Sequence, residues 1–150
     1  RKKYLKTKRN TIGSRMKTNL LVHKHLIIRA ESREPLKFEE HAEIWMRNFV
    51  ESINMKILMG PYCKYSDVPG NRGLTVAAII ETSHVVMHIW DEPFPALIQL
   101  DIYSCGEFDE HDICKRISED LNLTKIEYKY LNRETGLTDI SKGVLNYPKK

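Results

Sequence analysis

Ser83, His84, His88 and Cys105, with Thr75 upstream, are the residues of this 150-residue chain best equipped for chemistry. They interrupt otherwise apolar stretches, and such a local inconsistency marks functional sites. A serine beside a histidine raises the question of acyl transfer. A hydrolase, however, would place its serine on a strand-to-helix elbow between glycines, and Ser83 lies between two apolar runs with Thr82 and His84 beside it. His84 and His88 share a face if their segment is a strand, so a metal pair is conceivable, with His23 and His25 able to join. No cysteine-pair motif and no acid at a telling distance accompanies them, so no metal is expected. The plainer alternatives are half-exposed strand histidines and a small buried hydrophobe at Cys105. Pro69–Gly73 is not a phosphate-binding loop, because no Gly-Lys-Ser/Thr follows it.

The elements that must position these residues follow from periodicity. Residues 19–30 are apolar and rich in β-branched side chains, which predicts a strand broken by 31–35. From Phe38 to Ile53 the apolar residues recur at spacings of three and four, the stripe of a helix, with Glu39, Glu40 and Glu43 at its start where the dipole favours acids. Residues 55–59 form a short strand candidate, and 60–73 read as a loop from their Gly, Pro, Asn and Asp content. Leu74–Ile80, Val85–Trp90 and Ala96–Tyr103 are strands. Asp109–Leu121 is a helix with Asp109 as N-cap and Phe108 and Ile113 at the spacing of a hydrophobic staple. Residues 124–131 alternate as a strand, and no pattern follows Asn132. The expected architecture is α/β: a two-layer sandwich, mainly antiparallel, with both helices on one face of the sheet.

Composition narrows the class. With 41% hydrophobic and 29% charged residues, the chain is globular rather than fibrous or disordered, and at this length it can bury roughly two-thirds of its unfolded surface. Three cysteines are too few for a disulfide framework, and an odd number implies a free thiol in a reducing compartment. The net charge of +4 is uneven. Residues 1–17 hold eight basic residues and no acid, whereas the rest carries 16 basic and 20 acidic residues. Residues 1–17 are therefore expected to be a basic N-terminal extension and 18–150 one domain. A basic arm can bind nucleic acid or anionic lipid, but no basic patch recurs in the body, so neither partner is expected. No apolar run approaches the 20 or so residues needed to span a bilayer, and no secretory signal pattern follows the basic start. The expected location is cytoplasmic.

The stretch from Gly73 to Glu92, with Ser83-His84, then His88 and Trp90, followed by Asp101-Ile-Tyr-Ser-Cys105-Gly106, resembles the core of the bacterial and archaeal S-adenosylmethionine decarboxylases. That family shows an apolar strand, Glu-Ser-His, His-Thr-Trp-Pro-Glu and, further on, Asp-hydrophobic-aromatic-Thr-Cys-Gly. An opening strand with His25-Leu26 and a long helix agree, and the resemblance covers about residues 19–131. It implies a self-processing enzyme that decarboxylates S-adenosylmethionine for polyamine (spermidine) synthesis. The serine hydroxyl would attack the preceding carbonyl, cleaving Thr82–Ser83 and converting Ser83 into a pyruvoyl cofactor that holds the substrate amine as a Schiff base and serves as electron sink. By position His88 and Thr75 match residues that assist processing, and Cys105 matches the thiol that returns a proton to the decarboxylated carbon, a task suited to a pKa near 8.5. Tyr62 and Tyr65 lie where the family places an aromatic against adenine, and Glu81 is the acid nearest the scissile bond. The resemblance also implies a homodimer of processed protomers with sites built where they meet.

Strand parity makes one structural demand: Ser83 and His88 would face opposite sides of an ideal strand, so for the two to meet the chain must turn or bulge at Ser83, a distortion that would also expose the Thr82 carbonyl. The sequence departs from the family in having Thr82 in place of Glu, Ile89 in place of Thr, Asp91 in place of Pro, and two extra residues between Trp90 and Cys105. Relatives that decarboxylate ornithine or arginine would keep the pyruvoyl machinery and change the binding residues, and a non-processing homologue would act as a binding partner.

Overall fold

The computed structural model describes residues 22–148. The basic segment 1–17 and the first residues of the expected opening strand lie outside them. The order is β1 (Lys24–Ser32), α1 (Glu39–Ser52), β2 (Ile57–Ser66), β3 (Gly73–Ile80), β4 (Ser83–Trp90), β5 (Ala96–Ser104), α2 (Glu110–Asp120), β6 (Leu123–Asn132) and β7 (Asp139–Asn146). The strands form one antiparallel sheet in the order β2-β3-β4-β5-β1-β6-β7. The expected two-layer α/β sandwich is the observed one.

Alternation along the strands gives the sheet two different faces. Leu26, Ile28 and Ala30 of β1, Leu74, Val76, Ala78 and Ile80 of β3, Val85, Met87 and Ile89 of β4, and Ile98, Leu100 and Ile102 of β5 pack in one core with Ala42, Met46, Phe49 and Val50 of α1 and Ile113, Cys114 and Ile117 of α2. Trp45 stacks on Phe49 and donates from Nε1 to Asp120 Oδ2 at 3.3 Å, linking the helices. The α2 start is as the sequence predicts, with the Asp109 carboxylate accepting from the N–H groups of His111 and Asp112. Among the described residues, the opposite face carries the polar residues of the same strands and no helix.

Three stretches differ from expectation. Residues 60–66, expected as loop, belong to β2. That strand lies at the sheet edge, where Pro61 costs no ladder bond, and α1 supplies acceptors for its outward N–H groups: Glu43 Oε1 takes Cys63 N–H at 3.0 Å and Glu39 Oε1 takes Tyr65 N–H at 2.8 Å. After Asn132 the chain forms β7, which pairs with β6 and is tied to α2 by Ser141 Oγ donating to Glu110 Oε1 at 2.7 Å. β1 also runs through Glu31 to Ser32, whose buried hydroxyl donates to Leu121 O at 2.9 Å. At Gly73 the backbone has φ +148°, and a Cβ would lie 1.7 Å from Ile89 O, so only glycine lets β3 start this close to β4.

Candidate active site

β3 and β4 are joined by Glu81 and Thr82 alone, with Ile80 paired to Ser83 across the hairpin. Two-residue hairpin loops normally accommodate the strand twist with positive φ inside the loop. Here neither loop residue has positive φ, and it falls on Ser83 at +139°. A side-chain-bearing residue there stores about 1–3 kcal/mol of strain. A backbone distortion is thus located at the serine, but β4 runs from Ser83 to His88 without a bulge and does not bring the two together within one chain, as the parity argument required.

The chain around Ser83 is held from β5. Ser83 pairs with Ser104. The N–H of Cys105 donates to the Thr82 carbonyl at 3.2 Å, and Ser104 Oγ donates to Thr82 Oγ1 at 2.7 Å. A donor aimed at that carbonyl sits where negative charge would develop if Ser83 Oγ attacked its carbon. The structure thus brings Thr82, Ser83 and Cys105 together. Glu81 lies on the exposed tip of the hairpin, its carboxylate 3.2 Å from Lys56 Nζ.

Thr75 and His88 are also brought together, with Oγ1 2.9 Å from Nδ1 on neighbouring strands, and the imidazole stacks on Trp90. Both lie on the helix-free face. They are not beside Ser83: five residues of strand at about 3.3 Å each place His88 roughly 16 Å away in the same chain.

Tyr62 and Tyr65 part company. Tyr62 is 66% exposed and pairs with Ala77, whose parity is that of Thr75, so it sits on the helix-free face. Tyr65 pairs with Leu74 of the core face and donates to Asp91 Oδ2 at 3.0 Å. That bond is the first cause of a phenol pKa raised above its ordinary value.

A cluster that the sequence did not reveal lies beside Ser83 on the helix-free face. Asp101 Oδ2 is 2.9 Å from both His25 Nε2 and His84 Nε2, and Tyr103 packs against both rings. Arg133 lies 3.8 Å above the Tyr103 ring, and its Nη1 is 3.4 Å from His25 Nδ1. A guanidinium only donates, so His25 Nδ1 accepts and its Nε2–H points to Asp101. The three ligand-type atoms lie within 4.8 Å of one another, a separation a divalent cation can bridge. In the arrangement described, the carboxylate is satisfied by the histidines themselves. His84, not His88, joins the cluster, because four strand residues separate the two by about 13 Å.

Burial works against the Asp101 charge, but hydrogen bonds from His25 and His84 outweigh it and hold the carboxyl below its ordinary pKa. As pH falls, the unfolded chain then takes up its proton first, near the ordinary carboxyl value of about 3.9. The stability Asp101 contributes is complete above that value and is lost as pH drops through the lower folded one. Unfolding midpoints followed from about pH 7 to about pH 3 should therefore fall less steeply for Asp101→Asn than for the parent chain. Parallel curves would show that Asp101 does not carry this acid sensitivity.

The architecture is that of a two-layer α/β domain whose central hairpin presents a strained serine to an amide donor and a thiol-bearing residue. The family model for S-adenosylmethionine decarboxylase matches residues 24–134, and the chain belongs to that family of carboxy-lyases. Proteins named S-adenosylmethionine decarboxylase proenzyme from the Langeland, Okra and Hall strains of Clostridium botulinum are each 28% identical to it over 101 residues, covering 67% of this chain and 82% of theirs. No helix among the described residues is long and apolar enough to cross a membrane.

Proposed function

We propose that this chain cleaves its own Thr82–Ser83 bond, converts Ser83 into a pyruvoyl group and decarboxylates S-adenosylmethionine. The observation that carries the reading is the condition of that bond: Ser83 at φ +139° and the preceding carbonyl already receiving the Cys105 N–H. Attack by Ser83 Oγ on the Thr82 carbonyl carbon moves the acyl group from nitrogen to oxygen and frees the Ser83 amine. Loss of the Ser83 α-proton expels the Thr82 carboxylate and leaves dehydroalanine. One water then hydrolyses this, releasing ammonia and leaving a pyruvoyl-capped chain of residues 83–150 beside a chain of residues 1–82. The pyruvoyl group supplies a carbonyl electron sink for loss of carbon dioxide from an α-amino acid. Cys105, one residue beyond the Ser83 partner Ser104, is suited to return the proton to carbon.

Thr75 and His88 enter this reading from a second copy. A twofold axis crossing β4 at right angles, with two helix-free faces stacked, reverses one strand over the other and sets each Thr75–His88 pair over the partner subunit's Ser83. Isologous twofold contacts are the commonest oligomer form, and Ile27 and Ile79 on that face are 42% and 49% exposed, apolar surface that a partner would cover. Tyr62 on the same face offers a flat platform for adenine. Ornithine or arginine would need a carboxylate at its distal charge, and the nearby candidates are engaged: Glu81 by Lys56, Asp91 by Tyr65, and Glu92 by Gly70 N–H. Polyamine synthesis is the pathway the family resemblance implies for the product.

Intact-mass measurement should find two chains divided at Thr82–Ser83, the second without a free amine, whereas Ser83→Ala remains whole. The cleaved protein should release carbon dioxide from S-adenosylmethionine, with KM rising about tenfold or more for Tyr62→Ala. A chain that never cleaves would make this a binding homologue. Turnover of ornithine or arginine alone, indifferent to Tyr62, would replace the substrate.

A further inference from the structure

Two places where this chain departs from its family pattern touch each other. Thr82 stands where the family has Glu, and Ser104 stands where its Asp-hydrophobic-aromatic-Thr-Cys-Gly motif has Thr. Ser104 Oγ donates to Thr82 Oγ1 at 2.7 Å and accepts the Gly106 N–H at 2.9 Å. Ser104 is wholly buried, and a Cβ at position 106 would come within 3.2 Å of its hydroxyl, so Gly106 lets the turn close over the pair. Thr82 is thus held twice by one short segment, through its side chain by Ser104 and through its carbonyl by Cys105 N–H. The bond to Gly106 already satisfies the turn. Thr82 is only half-buried, and water could serve its hydroxyl, whereas the buried Ser104 hydroxyl proton has Thr82 Oγ1 as its acceptor. The consequence of that bond is geometric: it fixes the rotation of the residue whose carbonyl Ser83 must attack.

We propose that the Thr82–Ser104 hydroxyl pair is the positioning device for self-cleavage in this chain, holding the Thr82 carbonyl on the Cys105 N–H and Ser83 in its strained backbone conformation. The pair stands in place of the glutamate and threonine of the family pattern, and the proposal rests on the self-cleavage reading. Reaction through an oriented, near-attack geometry is sensitive to small displacements: about 1 Å can cost a hundredfold in rate. The pair's effect on the reaction is therefore read as a cleavage rate, measured where each variant is folded.

Thr82→Val keeps the shape of the side chain and removes the hydroxyl. Cleavage followed by mass spectrometry, well below the unfolding midpoint of each variant, should slow about tenfold for Thr82→Val and at least as much for Ser104→Ala. The double variant should be no slower than Ser104→Ala alone, because the two act as one unit. Thr82→Ser and Ser104→Thr, which keep both hydroxyls, should cleave near the parent rate. Ser104→Ala also strips Gly106 N–H of its acceptor, so Thr82→Val remains the deciding variant should that protein fold poorly. Thr82→Val cleaving at the parent rate, or losses that multiply in the double variant, would overturn the proposal while leaving self-cleavage intact. A parent chain that never cleaves would overturn both.

Discussion

Co-expression of Ser83→Ala and His88→Ala chains is expected to restore a cleavage that neither variant shows alone. In one chain, Thr75 and His88 are hydrogen-bonded to each other at 2.9 Å, yet the strand between His88 and Ser83 is about 16 Å long. If His88 of the partner subunit serves Ser83, a mixed dimer has one complete site: the serine of the His88→Ala chain faces the intact histidine of the Ser83→Ala chain. Random assortment of a twofold dimer puts about half of the His88→Ala chains in mixed dimers, so about half should be cut. The Ser83→Ala chains should stay whole. Tagging the two chains differently lets mass spectrometry tell which was cleaved. If no chain is cleaved, His88 acts within its own subunit and the stacked arrangement is wrong; if the His88→Ala chain is cleaved by itself, His88 takes no part. A Thr75→Ala chain in place of His88→Ala should complement in the same way, because the two side chains form one unit.

Much of this site was legible because it lies in consecutive residues. The polar interruption at Thr82–His84 between apolar runs marked the hairpin, and the distortion expected at Ser83 appears as its positive φ, although it does not bring His88 to the serine within one chain. Asp109 announced α2 through its cap. What the sequence concealed depends on neighbours distant in the chain. Gly60-Pro61 reads as punctuation, but at a sheet edge whose N–H groups are capped by Glu39 and Glu43 the same residues continue a strand. β7 has polar residues on both faces and one neighbour, so it has no hydrophobic period to read. The cluster of His25, His84 and Asp101 joins three adjacent strands, and its partners are up to 76 residues apart. The sequence signal was its three equal parities on β1, β4 and β5, which becomes usable only when β1 is known to insert beside β5.

The cysteines provide the sharpest separation of roles. Cys105→Ala is expected to cleave itself normally and then lose about 10²–10⁴-fold in turnover, the usual worth of a positioned proton donor. Cleavage survives because the Thr82 carbonyl is held by the backbone N–H of residue 105, which alanine keeps. Decarboxylation does not, because the thiol is gone. Cys114 is the control. It is fully buried on α2, and burial, together with the charges of Glu110 and Asp109, pushes its thiol pKa up to about 12. At neutral pH it is an uncharged packing group, so Cys114→Ala should lower the unfolding free energy by about 1 kcal/mol and leave turnover per folded molecule unchanged. Cys63, also buried, has its pKa raised to about 11, chiefly by burial. An alkylating reagent should therefore label Cys105 first in the folded chain, and the loss of turnover should follow that single labelling event. Equal loss of turnover in Cys105→Ala and Cys114→Ala, or full activity after Cys105 is alkylated, would remove the thiol from the reaction and leave residue 105 with only its backbone role at the scissile carbonyl.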